Sequence, residues 1–196
     1  MNNSFYSYSF MKISLLFFFW IISFSISYSQ GYNLANPSEL KEYIEVVKKS
    51  TEGPEIGSRF PDFTAFEFDG KKLSYEDLQE KLIVVNIWYV GCTGCKQEEP
   101  FLKMLTDELS TNENVIFLSF AMSSPKKIER YFSKRGDFGY PTASVERSWV
   151  KEKLNITLSP THFIIKNGVL EEKISLPLAQ PETLNWFKSR ILSLLN

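Results

Sequence analysis

Between Leu82 and Leu109 the chain runs LIVVNIWYVGCTGCKQEEPFLKMLTDEL. The part up to Trp88 is apolar except for Asn86, which suits a strand buried on both faces of a sheet. The part from Glu98 has helical periodicity, so Cys92-Thr93-Gly94-Cys95 falls on a strand-to-helix turn. Such a turn brings two thiols close enough to close a small disulfide. It also aims the first sulfur at the free backbone N–H groups of a helix N-terminus, which favours thiolate over thiol at Cys92. The thiolate is the attacking species in disulfide exchange. Cys92 therefore reads as nucleophile and Cys95 as the resolving thiol.

Two cysteines three apart have other readings. A zinc site wants four ligands, and the chain offers only Cys92, Cys95 and His162. A purely structural bridge over so short a loop constrains the unfolded chain little. No metal or other cofactor is expected.

The 196 residues, 43% hydrophobic and 23% charged, suit one globular domain with a short preamble. With 22 Lys and Arg against 23 Asp and Glu and no basic block, neither nucleic acid nor an anionic membrane surface is expected as a partner. In the preamble, Lys12 precedes ISLLFFFWIISFSIS and the small residues around Tyr28, the pattern of a secretory signal over residues 1–29, with Met11 as the possible true start. The apolar run is broken by Ser14, Ser23 and Ser25 and is shorter than the roughly 20 residues a membrane span needs. Export, to a periplasm or cell envelope in a bacterium, would put the cysteine pair where disulfides persist. No cysteine follows the run to carry a lipid.

In chain order, Asn36-Pro37-Ser38-Glu39 opens a helix with Leu40, Tyr43, Ile44 and Val47 on one face. Residues 30–56 are expected to form an extension and linker outside the core domain, which then spans residues 57–196. Thr64 to Phe68 reads as an edge strand, Ser74 to Leu78 as a short helix, Val115 to Ala121 as a buried strand, and Ser124-Pro125 as a helix start. Tyr140 to Val145 reads as a strand, and Trp149, Val150 and Leu154 as a short helix. Asn167-Gly168 joins two strands in a hairpin, and Pro181 begins an amphipathic last helix.

Pro61-Asp62-Phe63, Val85-Asn86-Ile87-Trp88, Cys92-x-x-Cys95-Lys96-x-Glu98-x-Pro100 and Ser159-Pro160-Thr161 together resemble the TlpA-like and ResA-like thiol-disulfide oxidoreductases of the thioredoxin superfamily. The resemblance covers Gly57 to the C-terminus. It implies an α/β thioredoxin fold, a central mixed β-sheet with helices on both faces, here with an N-terminal helical extension. It also implies a cis Ser159-Pro160 bond facing the cysteines, which exposes the Ser159 backbone to an extended partner. Ser159, Pro160, Thr161 and Trp88 are the candidate partner-binding residues, although Trp88 reads first as a core residue and only second as an aromatic wall beside the thiols. The partners implied are protein thiols and disulfides and a membrane-linked electron donor, the protein acting as a monomer. Gly91 stands where relatives commonly carry tryptophan, and Gly94 where they carry proline, so Thr93-Gly94 is expected to make a looser turn.

On the helix, Cys95, Glu98, Leu102, Leu105 and Leu109 form one stripe facing the core, with Glu98 its only carboxylate. A carboxylate beside two thiols is expected to resist ionisation and to exchange a proton with Cys95. Glu99 is expected to pair with Lys103 on the surface. His162, inside an apolar strand, reads as a packed or surface residue rather than a general base. Three activities fit: disulfide exchange with protein partners, probed by insulin reduction; a non-catalytic binding module; and a peroxidase. The last needs a Pro-x-x-x-Thr/Ser-x-x-Cys loop that the residues before Cys92 do not supply.

Overall fold

The computed structural model describes residues 31–78 and 80–195; the signal-like segment over residues 1–29 lies outside them. From Leu34 onward the chain forms one compact unit. No helix among the described residues is long and apolar enough to cross a membrane.

Helix α1 (Pro37–Ser50) starts where Asn36 Oδ1 accepts the N–H of Ser38 at 2.9 Å, with Pro37 preset in the first turn. The helix does not stand outside the core. Its Ile44 is buried, Leu40, Tyr43 and Val47 pack beside it, and just past its end Thr51 Oγ1 accepts the N–H of Ser175 at 2.9 Å. An apolar face of that width needs cover, and the last strand and helix of the domain provide it.

The expected edge strand shortens to β1 (Glu67–Phe68), paired with β2 (Lys71–Lys72) across Asp69 and Gly70 at positive φ. Residues ahead of it do other work: Asp62 Oδ1 accepts from both the backbone and hydroxyl of Thr64 at 2.9 Å, and Phe60 and Phe63 turn inward. Then come α2 (Tyr75–Leu78), β3 (Leu82–Trp88), α3 (Thr93–Leu109), β4 (Val115–Ala121), α4 (Pro125–Arg135), β5 (Thr142–Ser144), α5 (Arg147–Leu154), β6 (Thr161–Lys166), β7 (Val169–Ile174) and α6 (Pro181–Leu195). The hairpin turn between β6 and β7 uses Asn167 and Gly168, both at positive φ.

The main sheet has the order β5-β4-β3-β6-β7. Strand β3 pairs parallel with β4 and antiparallel with β6, so the sheet is mixed and β3 lies at its centre. Alternate residues of β3 feed two cores. Leu82, Val84 and Trp88 face α1, α3, α4 and α6, while Ile83, Val85 and Ile87 face the Phe60–Phe68 segment and α5. Along the first face the register lines up Thr142, Ser119, Asn86 and His162 as neighbours on four adjacent strands. This polar row lies beneath the helix that begins at the cysteines.

Candidate active site

Strand β3 ends at Trp88 and the chain turns through Gly91, whose φ of +105° is a conformation that residues with a side chain rarely adopt. Cys92 is the N-cap of α3. Its Sγ accepts the backbone N–H of Cys95 at 3.1 Å and its carbonyl oxygen accepts that of Lys96 at 3.1 Å. Cys92 and Cys95 are joined in a disulfide. In this oxidised form both residues are buried, at 5% and 4% exposure. The reason is what closes over the turn. The carbonyl oxygen of Ser159 lies 3.6 Å from Cys92 Sγ, and Gly94 abuts Pro160 and Pro177.

Beneath the disulfide, Glu98 is fully buried on the stripe with Cys95, Leu102, Leu105 and Leu109. Its Oε2 lies 3.0 Å from His162 Nε2 and accepts the backbone N–H of Leu178 at 3.0 Å. Its Oε1 has only a long contact, 3.5 Å, from Asn86 Nδ2. A buried carboxylate needs such donors, because water is not there to supply them. Near it, the Tyr140 phenol is pushed well above its ordinary range, first by complete burial and then by the Glu98 charge. Among the described residues no group of three or more His, Cys, Asp or Glu side chains is arranged to hold a metal ion.

Residues 56–173, more than half of the chain, match the AhpC/TSA family. The chain belongs to that family. Among curated proteins it is 27% identical over 131 residues to the thioredoxin-like protein YneN of Bacillus subtilis, covering 65% of this chain and 76% of that one. It is 26% identical over 165 residues to the thiol-disulfide oxidoreductase ResA of Bacillus cereus, covering 84% of this chain and 90% of that one. The fold is shared with a provisionally assigned protein disulfide isomerase of Bacteroides thetaiotaomicron (TM-score 0.64, 18% identity, 74% of this chain and 93% of that one). It is shared also with a thioredoxin-family thiol:disulfide interchange protein of Chlorobium tepidum (TM-score 0.57, 20% identity, 73% and 99%). The sheet order and helix placement are those of the thioredoxin fold. With a cysteine pair that closes a disulfide at the head of α3, this AhpC/TSA-family chain is a thiol-disulfide oxidoreductase.

Of the candidate partner-binding residues Ser159, Pro160, Thr161 and Trp88, the structure sets only the first two against the cysteines. The Ser159-Pro160 bond is cis, and the Ser159 carbonyl faces Cys92. Thr161 is buried, its Oγ1 donating to the Leu158 carbonyl at 3.0 Å and lying 2.7 Å from Ser175 Oγ, so its side chain braces the loop. Trp88 is a core residue. Its Nε1 donates to Ser119 Oγ at 3.1 Å, and its ring packs among Tyr131, Phe132 and Phe138. Glu99 does not pair with Lys103, which instead bonds Asp107; it takes Arg135 at 2.8 Å and the Tyr131 hydroxyl, joining α3 to α4. His162 is a packed residue and a direct neighbour of Glu98. That was hidden because β6 reads as uniformly apolar around it; only its pairing opposite Asn86 puts it on the α3 face. Pro177 and the Leu178 N–H had no local signal at all.

Proposed function

We propose that this protein acts outside the cytoplasm as a disulfide reductant for protein partners. Reduced Cys92 attacks a partner disulfide, displacing one partner sulfur as a thiol and forming a mixed disulfide. Cys95 then attacks Cys92 Sγ, the second partner sulfur leaves as a thiol, and the Cys92–Cys95 bond closes. Two electrons pass from the dithiol to the partner, and a membrane-linked donor restores the dithiol. Exported thiols such as those of apocytochrome c are suitable clients, and the protein works as a monomer.

The single observation that carries this reading is the place of Cys92 Sγ at the N-cap of α3. There a sulfur anion accepts a backbone N–H and feels the positive end of the helix. The adjacent Ser159 backbone supports strand-like docking of an extended partner segment. The signal-like preamble supports export. The peroxidase alternative has less support, because Val85 and Tyr89 stand where its loop would carry proline and threonine or serine.

Insulin reduction under dithiothreitol tests the activity. Cys95→Ser is expected to accumulate mixed disulfides with exported proteins, visible on non-reducing gels and missing in Cys92→Ser. No turnover of insulin together with no adducts would leave a non-catalytic binding module, and rapid peroxide consumption would favour the peroxidase.

A further inference from the structure

We propose that His162 is a positioning residue for Glu98, holding Oε2 so that Oε1 is the oxygen that exchanges a proton with Cys95; this rests on the disulfide-exchange reading above. Glu98 and His162 are both without solvent exposure and lie 64 residues apart in sequence, yet their Oε2 and Nε2 atoms are 3.0 Å apart. The sheet register makes the contact. His162 pairs directly with Asn86 across β3 and β6, so both side chains rise on the face that α3 covers, and Phe187 of α6 packs on the imidazole at 5.4 Å between ring centroids.

The hydrogen bonding also sets the tautomer. Nδ1 of His162 is buried with no partner. A bare ring nitrogen without a donor costs less than a buried N–H without an acceptor. The proton is therefore on Nε2, which donates to Oε2. With the Leu178 N–H also on Oε2, that oxygen is fully engaged, whereas Oε1 has only the 3.5 Å contact from Asn86. Cys95 stands one helical turn before Glu98 on the same stripe.

In the resolving step the Cys95 thiol gives its proton to Oε1 and its thiolate attacks Cys92 Sγ. The Cys92–partner S–S bond breaks, and the leaving partner thiolate takes a proton from the Glu98 carboxyl or from water. His162 keeps its own proton throughout. The other ionisable groups on this face are accounted for. Tyr140 is buried near Glu98 with no hydroxyl partner, Glu172 of β7 holds Lys48 and Arg190, and Glu99 holds Arg135 and Tyr131.

The test uses reduced protein and a chromogenic aromatic disulfide, whose first thiolate reports Cys92 attack and whose second reports resolution by Cys95. His162→Leu is expected to slow resolution about tenfold at neutral pH and to shift its pH profile, leaving the first phase unchanged. His162→Gln, which keeps an N–H donor, is expected to restore both. Equal resolution profiles for wild type and His162→Leu would overturn the proposal, as would a failure of Gln to improve on Leu. His162 is the only histidine, so 15N imidazole spectra of untagged wild-type protein read its tautomer without any variant. Protonated Nε2 and bare Nδ1 are expected, and the reverse would refute the assignment. A protein inactive on insulin but normal in these phases would count against the proposed clients and leave His162 in place.

Discussion

Gly94 lies so close to Pro177 that a Cβ built on it would stand 2.9 Å from the proline Cγ, and 3.2 Å from Cδ of Pro160. The glycine between the cysteines is therefore no looser turn. It is the position that lets two proline rings close over the disulfide, and Leu178, which follows Pro177, supplies the N–H held by Glu98.

Gly94→Ala is accordingly expected to destabilise the oxidised protein by about 1–3 kcal/mol through overpacking against rings that cannot rotate away. The gain in helix propensity from alanine offsets less than about 1 kcal/mol of that. Urea unfolding of the oxidised form decides it; an unchanged or higher midpoint means that the 175–180 segment yields freely.

Glu98→Gln removes the proton acceptor beside Cys95 and is expected to slow resolution of the mixed disulfide by about 100-fold at neutral pH. Glu99→Gln breaks the link to Arg135 and Tyr131 and is expected to lower the denaturant midpoint slightly, because the Arg135 end of the pair is screened by solvent, while leaving the exchange profile as it was. Stopped-flow resolution rates and denaturant midpoints on both variants separate the two roles. Similar kinetic loss in both would refute the distinction.

Glu172 is buried on β7 at 1% exposure and takes Lys48 of α1 at 2.9 Å and Arg190 of α6 at 3.1 Å. One carboxylate thus holds the first and last described helices to the sheet. Lys48→Met is expected to cost about 1 kcal/mol because Arg190 remains, and the double replacement Lys48→Met with Arg190→Met about 3 kcal/mol or more, because the buried charge is then unpaired. A double-mutant cycle in urea measures this, with simple additivity as the contrary result.

The Tyr131 phenol is pushed up to about 12, first by burial and then by its hydrogen bond to Glu99 and that group's charge. The folded state holds this proton more tightly than the unfolded chain does. Its contribution is therefore complete below about pH 10, the ordinary tyrosine value, and is lost as pH rises toward the folded value. The stability advantage of wild type over Tyr131→Phe should shrink between about pH 10 and pH 12. A constant difference across that window, followed by alkaline unfolding, would contradict the assignment.

Local pattern was enough for much of this protein. The apolar run before Cys92, the helical stripe that buries Glu98, the Asn36 cap and the Asn167-Gly168 hairpin each depend on residues a few positions apart, and the periods of helix and strand fix which side such residues face. What a residue meets on that side is a different matter. Trp88 reads as core from its type alone, but the rings it packs on, Tyr131 and Phe132, come from α4, and Glu99 found Arg135 on that same helix instead of Lys103 on its own. Helix α1 joined the domain because β7 offers Glu172, and Ser175 just past its end a backbone N–H, beside an apolar surface. His162 met Glu98 only through the pairing of β6 on β3, and a slip of one residue would have turned it to the opposite core. Register and crossovers are chosen by the burial of the whole sheet, so contacts that span 64 residues or more were decided only when the tertiary structure closed.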